Sequence, residues 1–258
     1  MKPPWTKLAL TLIALQHIAG AGSLAVDFQV AERSVVLHAP VIVEVLFRNT
    51  GSTPLDVDLG LGQLDGFEVS VRGPDGKETR APRVYSDGAS RPALHLDGGA
   101  AVRRPVLLSL WYKMEEPGEY NWTVSLPAVG ARHTFELTVL PANDQMLRAA
   151  CERLMKTLAT NPEWEEQYAA VVALGYVGSD VAVPLLSQIM QGHSPFQVQA
   201  AEGLGRIGTV AAVEALIGGL REGAGTWSVT KEVARRDLAR LAKESGDSNV
   251  RTLASSAL

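Results

Sequence analysis

The sequence predicts two successive domains, a β-sandwich followed by a stacked array of short helical repeats. Three observations predict it. Apolar and polar side chains alternate with a period of two between Val26 and Leu140. After Pro141-Ala142-Asn143-Asp144 the period becomes helical. Within the helical half, Ala170, Leu174, Gly175, Val177, Gly178, Ala182, Val183 and Leu186 recur 30 residues later as Ala200, Leu204, Gly205, Ile207, Gly208, Ala212, Val213 and Leu216. A fixed period of that size marks stacked supersecondary units. The length of 258 residues suits about two domains.

The first 21 residues read as a secretory signal peptide. Lys2 and Lys7 precede the short apolar run 8–15, and Ala19-Gly20-Ala21 supplies small residues for cleavage. That run is too short to cross a bilayer, which takes about 20 residues. The expected location is therefore secreted or periplasmic, with no integral membrane segment once the signal is removed. Cleavage would move the formal net charge from −4 to −6, since both lysines leave. A single cysteine, Cys151, cannot form an internal disulfide, which favours a bacterial exported protein over a eukaryotic one. Cys151 shares a helical apolar stripe with Leu147, Ala150, Leu154 and Leu158, the pattern of a core residue and not of a nucleophile. Net negative charge and the lack of a basic stripe argue against nucleic acid as a partner.

Residues 24–141 form the expected β domain. Val41, Val43, Val45 and Phe47 alternate with Ile42, Glu44, Leu46 and Arg48. The same alternation runs through Phe67, Val69 and Val71, through Tyr120, Trp122, Val124 and Leu126, and through Phe135, Leu137 and Val139. Each set places apolar side chains on one face of a sheet. Asn49-Thr50-Gly51, Gly73-Pro74-Asp75-Gly76, Asp97-Gly98-Gly99 and Glu116-Pro117-Gly118 supply the turns. Strand residues ending in Arg48-Asn49-Thr50-Gly51, and a tyrosine in Pro117-Gly118-Glu119-Tyr120, resemble the immunoglobulin-like sandwich. The resemblance implies that the Tyr120 hydroxyl braces the corner between the sheets. The paired cysteines of antibody domains are absent.

Residues 143–258 form the expected helical domain, with helices near 144–159, 163–176, 179–191, 195–206, 209–221, 228–243 and 247–256. Asn143 or Asp144 caps the first. Residues 169–186 and 198–217 resemble HEAT repeats of the short bacterial type. The resemblance implies alanines that let paired helices approach, a Leu-Gly pair ending each first helix, and second helices lining the concave face. Ala234, Leu238 and Leu241 mark a decayed third unit in which Ala239 replaces the glycine, as expected of a terminal cap.

Motifs for chemistry are few. Gly203-Leu204-Gly205-Arg206-Ile207-Gly208 has the spacing of a dinucleotide loop, but it ends a helical pattern instead of opening one. Asp56-Val57-Asp58 lacks the rest of a calcium loop. His38, His95, His133 and His193 show no metal-ligand spacing, and no hydrolase motif occurs. Glu163, Glu165 and Glu166 sit where acidic side chains favour a helix N-terminus. The reading is a non-enzymatic, cofactor-free and metal-free exported scaffold that binds a protein or peptide through its repeats. Trp111, Tyr112, Gln188, Gln191, Arg221 and Trp227 are the partner-binding candidates, the aromatics as anchors. A carbohydrate-binding role for the β domain, with Trp111 or Tyr112 stacking on sugar rings, is the alternative. So is an accessory subunit of an extracytoplasmic enzyme.

Overall fold

A computed structural model describes residues 23–59, 64–82, 93–221 and 228–258. Residues 1–21, expected to form a signal peptide, lie outside these residues. The described chain is β-rich to Leu140 and helical from Asp144.

The strands are β1 (Leu24–Val30), β2 (Ser34–Val36), β3 (Ile42–Asn49), β4 (Leu55–Val57), β5 (Glu68–Arg72), β6 (Glu78–Arg80), β7 (Leu94–Leu96), β8 (Ala101–Leu107), β9 (Gly118–Leu126) and β10 (Ala131–Leu140). They form small, open sheets. One has the order β1-β3-β8, a second β2-β10-β9-β5-β6, and β4 pairs with β7. All pairings are antiparallel except β2 with β10, which is parallel. The alternating apolar sets are the buried ones: Val43, Val45 and Phe47 on β3, Val69 and Val71 on β5, Tyr120 to Leu126 on β9, and Phe135 to Val139 on β10. The period of two therefore sets the register of each strand against the core.

Two polar groups tie the strand ends. Asn49 is fully buried, and its amide nitrogen donates to the carbonyls of Thr53 at 2.8 Å and Leu96 at 3.1 Å. Its amide oxygen accepts from Gly51 N–H at 3.0 Å. This satisfies a side chain that burial would otherwise penalise, and it anchors the end of β3 to β7. The Tyr120 hydroxyl donates to the Glu116 carbonyl at 2.9 Å, fixing the turn that leads into β9.

The helices are α1 (Asp144–Thr160), α2 (Trp164–Leu174), α3 (Val183–Gln191), α4 (Gln197–Ile207), α5 (Val210–Arg221), α6 (Ser228–Glu244) and α7 (Ser248–Ser256). Asn143 caps α1, its side chain accepting from Met146 N–H at 3.0 Å. The helices α2, α4 and α6 lie side by side in one layer, and α3, α5 and α7 in a second. The echoed residues Ala170, Leu174, Ala200, Leu204, Ala212, Val213 and Leu216 are buried between the layers. Cys151 is buried, and burial pushes its thiol pKa up, so it behaves as an apolar core residue.

The repeat glycines differ from expectation. Gly175 follows the end of α2, but Gly205 lies inside α4, which continues to Ile207 and ends at Gly208 with φ 63°. Their shared role is spacing. A Cβ on Gly175 would stand 2.6 Å from the Gly203 Cα, and one on Gly205 would stand 2.6 Å from the Asp237 carboxylate. At each site the next first-layer helix occupies the space. Ala239, the third member of the series, is exposed. No further first-layer helix follows α6 among the described residues, so the side chain meets nothing that a glycine would have to accommodate.

One hydrophobic core runs through both halves. The helix α2 packs against β8, with Glu165 3.8 Å from Arg104. Arg153 on α1 pairs with Glu32 at 2.9 Å. The Gly178 N–H donates to the His38 carbonyl at 3.3 Å. His38 holds φ 75°, the one non-glycine residue with positive φ among those described. A side chain in that region is strained, so packing at this junction holds it there.

Candidate functional site

The second helix layer brings together three of the expected contact residues. Gln188 and Gln191 stand one turn apart on α3, the first exposed and the second half-buried. The Gln191 amide nitrogen lies 3.6 Å from where a Cβ on Gly218 would be, so α5 offers a low, backbone-lined surface beside it. Arg221 follows one turn later on α5 and is exposed. Trp227, with the enlarged loop around Glu222 and Gly225, lies outside the described residues.

The two aromatics of the β-rich half are not surface anchors. Trp111 is 5% exposed and packs into the core after the turn 108–110. That turn is pinned where Val41 N–H donates to the Ser109 hydroxyl at 3.0 Å. Tyr112 is half-buried, edge-on to Tyr120 at 6.3 Å and to Trp122 at 6.0 Å. Both close one end of the β core. The expectation of an exposed Trp111 fails because the apolar run 106–110 turns inward before it.

The sequence missed two surfaces. Trp164, at the start of α2, is 46% exposed and stacks on Tyr168 at 5.1 Å and packs at a tilt on Phe196 at 5.6 Å. An aromatic spaced four residues from another on one helix was the available signal. The second surface is a charged groove between α4 and α6, lined by Glu202, Arg206, Arg236, Asp237 and Arg240. Its signal was also in the repeat, since Arg206 and Arg240 hold matching positions in successive units.

Glu163, Glu165 and Glu166 do more than favour a helix end. Desolvation at the junction raises the Glu166 pKa above the ordinary 4.5, and Glu44 adds to the rise, while Arg104 and Arg103 oppose it. In the β-rich half, His95 Nδ1 lies 2.7 Å from Asp56 Oδ1, and that hydrogen bond is the main cause of its raised pKa. His133 stacks between Phe28 and Phe135, each at 5.9 Å, and burial lowers its pKa. Among the described residues, no three His, Cys, Asp or Glu side chains converge as metal ligands. The Gly203–Gly208 run closes α4, so its amides do not face a helix N-terminus.

Residues 151–239 match the family of HEAT repeats, which shows a HEAT-like repeat region in the helical half. No curated protein matches the chain. Among solved structures, a mutant β-glucosidase from Listeria innocua in complex with laminaribiose is similar at 13% identity and a TM-score of 0.32, over 47% of this chain and 16% of that one. The chain thus spans about a sixth of that enzyme's length. An alkylpurine DNA glycosylase from Pseudomonas fluorescens, bound to DNA containing an abasic site analog, is similar at 14% identity and a TM-score of 0.30, over 46% of this chain and 30% of that one. A CARDB domain from Pyrococcus furiosus, in complex with di-metal ions, gives 16% identity and a TM-score of 0.27, over 46% of this chain and 89% of that domain. At these TM-scores none of the three bears on function.

Proposed function

We propose that this chain is an exported, non-enzymatic interaction scaffold that binds a protein or peptide partner through its helical repeats. The observation that carries the reading is the two-layer stack itself. Two matched units present Gln188, Gln191 and Arg221 on the outer side of the second layer, next to the low surface at Gly218. Neutral amides and one guanidinium can hydrogen-bond a peptide backbone or side chains without a heavy desolvation cost. Repeat arrays offer such extended surfaces because each unit packs only on its neighbours.

The β-rich half is an immunoglobulin-like module that supports the array. The bond from Tyr120 to Glu116 and the parallel pairing of β2 with β10 favour this reading. Its junction with α2 gives the repeats a fixed base. The apolar run and small residues of 1–21 support export. A sugar platform at Trp111 is not proposed, because its ring lies in the core.

The test is affinity capture from an extracytoplasmic fraction by the whole chain lacking residues 1–21. The expected result is a discrete protein partner that is lost when Gln188, Gln191 and Arg221 are all changed to alanine. Capture unaffected by those changes, or retention of the full-length chain in the cytoplasm, would contradict the reading.

A further inference from the structure

We infer that the groove between α4 and α6 is a carboxylate-binding site that receives an acidic side chain of a protein partner. It lies in the first helix layer, apart from Gln188, Gln191 and Arg221 on the second. Its cavity volume is about 320 Å³. Glu202 and Arg206 line it from α4, one turn apart, and Arg236 and Arg240 line it from α6 with the same spacing. Asp237, 7% exposed, forms the floor in the space that Gly205 leaves open.

All three guanidinium groups are held before any ligand arrives. Arg240 Nη2 donates to the Gly205 carbonyl at 2.7 Å, and its Nε lies 3.6 Å from Asp237 Oδ1. Arg236 Nη2 lies 3.4 Å from Glu202 Oε1 and 3.5 Å from Asp237 Oδ2. The Arg206 guanidinium carbon sits 4.0 Å from the centre of the Tyr176 ring. That stacking fixes the plane of the guanidinium while leaving its N–H edge available.

The charges do not balance. Both carboxylates are engaged by Arg236 and Arg240, and Arg206 has no acidic partner among the described residues. Three cations against two anions leave one unit of positive charge at Arg206, on a chain whose overall charge is negative. A planar fork with free N–H groups suits a carboxylate, and pre-positioned side chains lose little entropy on binding.

The site is tested with a fluorescein-labelled hexaglutamate peptide, the whole chain lacking residues 1–21, and fluorescence anisotropy at low ionic strength. Saturable binding that weakens as salt rises is expected. Arg206→Gln should weaken it about tenfold, with the fold retained and the thermal midpoint lowered only by the loss of the Tyr176 stack, since Arg206 does not pair with Asp237. Arg132→Gln, on the exposed side of β10, should bind as the parent does. The inference is overturned if hexaglutamate binds no better than hexaserine, if Arg206→Gln binds equally well, or if inorganic phosphate at the peptide's concentration displaces it.

Discussion

Gly175 lets α2 and α4 approach closely, because the Gly203 Cα fills the place of its missing side chain. A methyl group there would meet backbone, which cannot rotate away. Gly175→Ala is therefore expected to cost about 1–3 kcal/mol, read from urea unfolding. Gly246 provides the control, since a methyl group on it would meet nothing within 4 Å. Gly246→Ala should stay within about 0.5 kcal/mol. Glu166 gives a pH-dependent expectation. Its folded pKa is raised above 4.5 by burial, with Glu44 adding to the effect. Between 4.5 and that raised value the folded chain keeps a proton that the unfolded chain has released. Its contribution to stability is thus full below 4.5 and is lost as pH rises through the folded pKa. Glu166→Gln removes the ionised form, so the variant should be more stable than the parent above this window. The gap should close as pH falls toward 4.5, and thermal midpoints at several pH values will show it. A variant less stable at every pH would mean that pairing with Arg103 and Arg104 outweighs desolvation.

The elements show how far local pattern carries. In β9 and β10 buried side chains alternate with more exposed ones, so period and register were both legible. The same holds for the helices, whose caps and apolar stripes lie in consecutive residues. Short strands were less legible: β6, Glu78–Arg80, has no buried residue, so no apolar alternation marks it. The parallel pairing of β2 with β10 joins residues about a hundred positions apart, and no local signal encodes such a contact. The placement of Tyr120 just after a turn was legible because a proline and a glycine precede it, and its hydroxyl holds the Glu116 carbonyl of that turn. Tyr120→Phe should cost about 1 kcal/mol in urea unfolding, the typical net value of one hydrogen bond, with the fold retained. The charged groove was harder to see. Arg206 and Arg240 share a repeat position, but the fact that Gly205 leaves room for Asp237 appears only when α4 and α6 pack together. Trp111 misled for the opposite reason, since a tryptophan after an apolar strand looks the same in sequence whether it turns out or in.

At the scale of the molecule, the β-rich and helical halves are joined by one core and by the pairs Arg104 with Glu165 and Arg153 with Glu32. The exposed Arg153–Glu32 pair contributes at most about 1 kcal/mol, and the half-buried Arg104–Glu165 pair stands 3.8 Å apart, so the shared apolar core is the stronger link. The halves should therefore unfold together. With Trp164 and Trp227 changed to phenylalanine in the chain lacking residues 1–21, helical circular dichroism and the fluorescence of Trp111 and Trp122, both in the β core, should report the same urea midpoint. The shared core gives the repeats a common base with the β-rich half. The most direct measurement places a photo-crosslinking amino acid at position 188, on the outer side of α3, in the whole chain expressed in its native host. A discrete adduct with another protein is predicted from position 188, and none from position 136 on the exposed side of β10. Adducts of equal yield from both positions, or none from position 188, would contradict a scaffold that binds through its repeats.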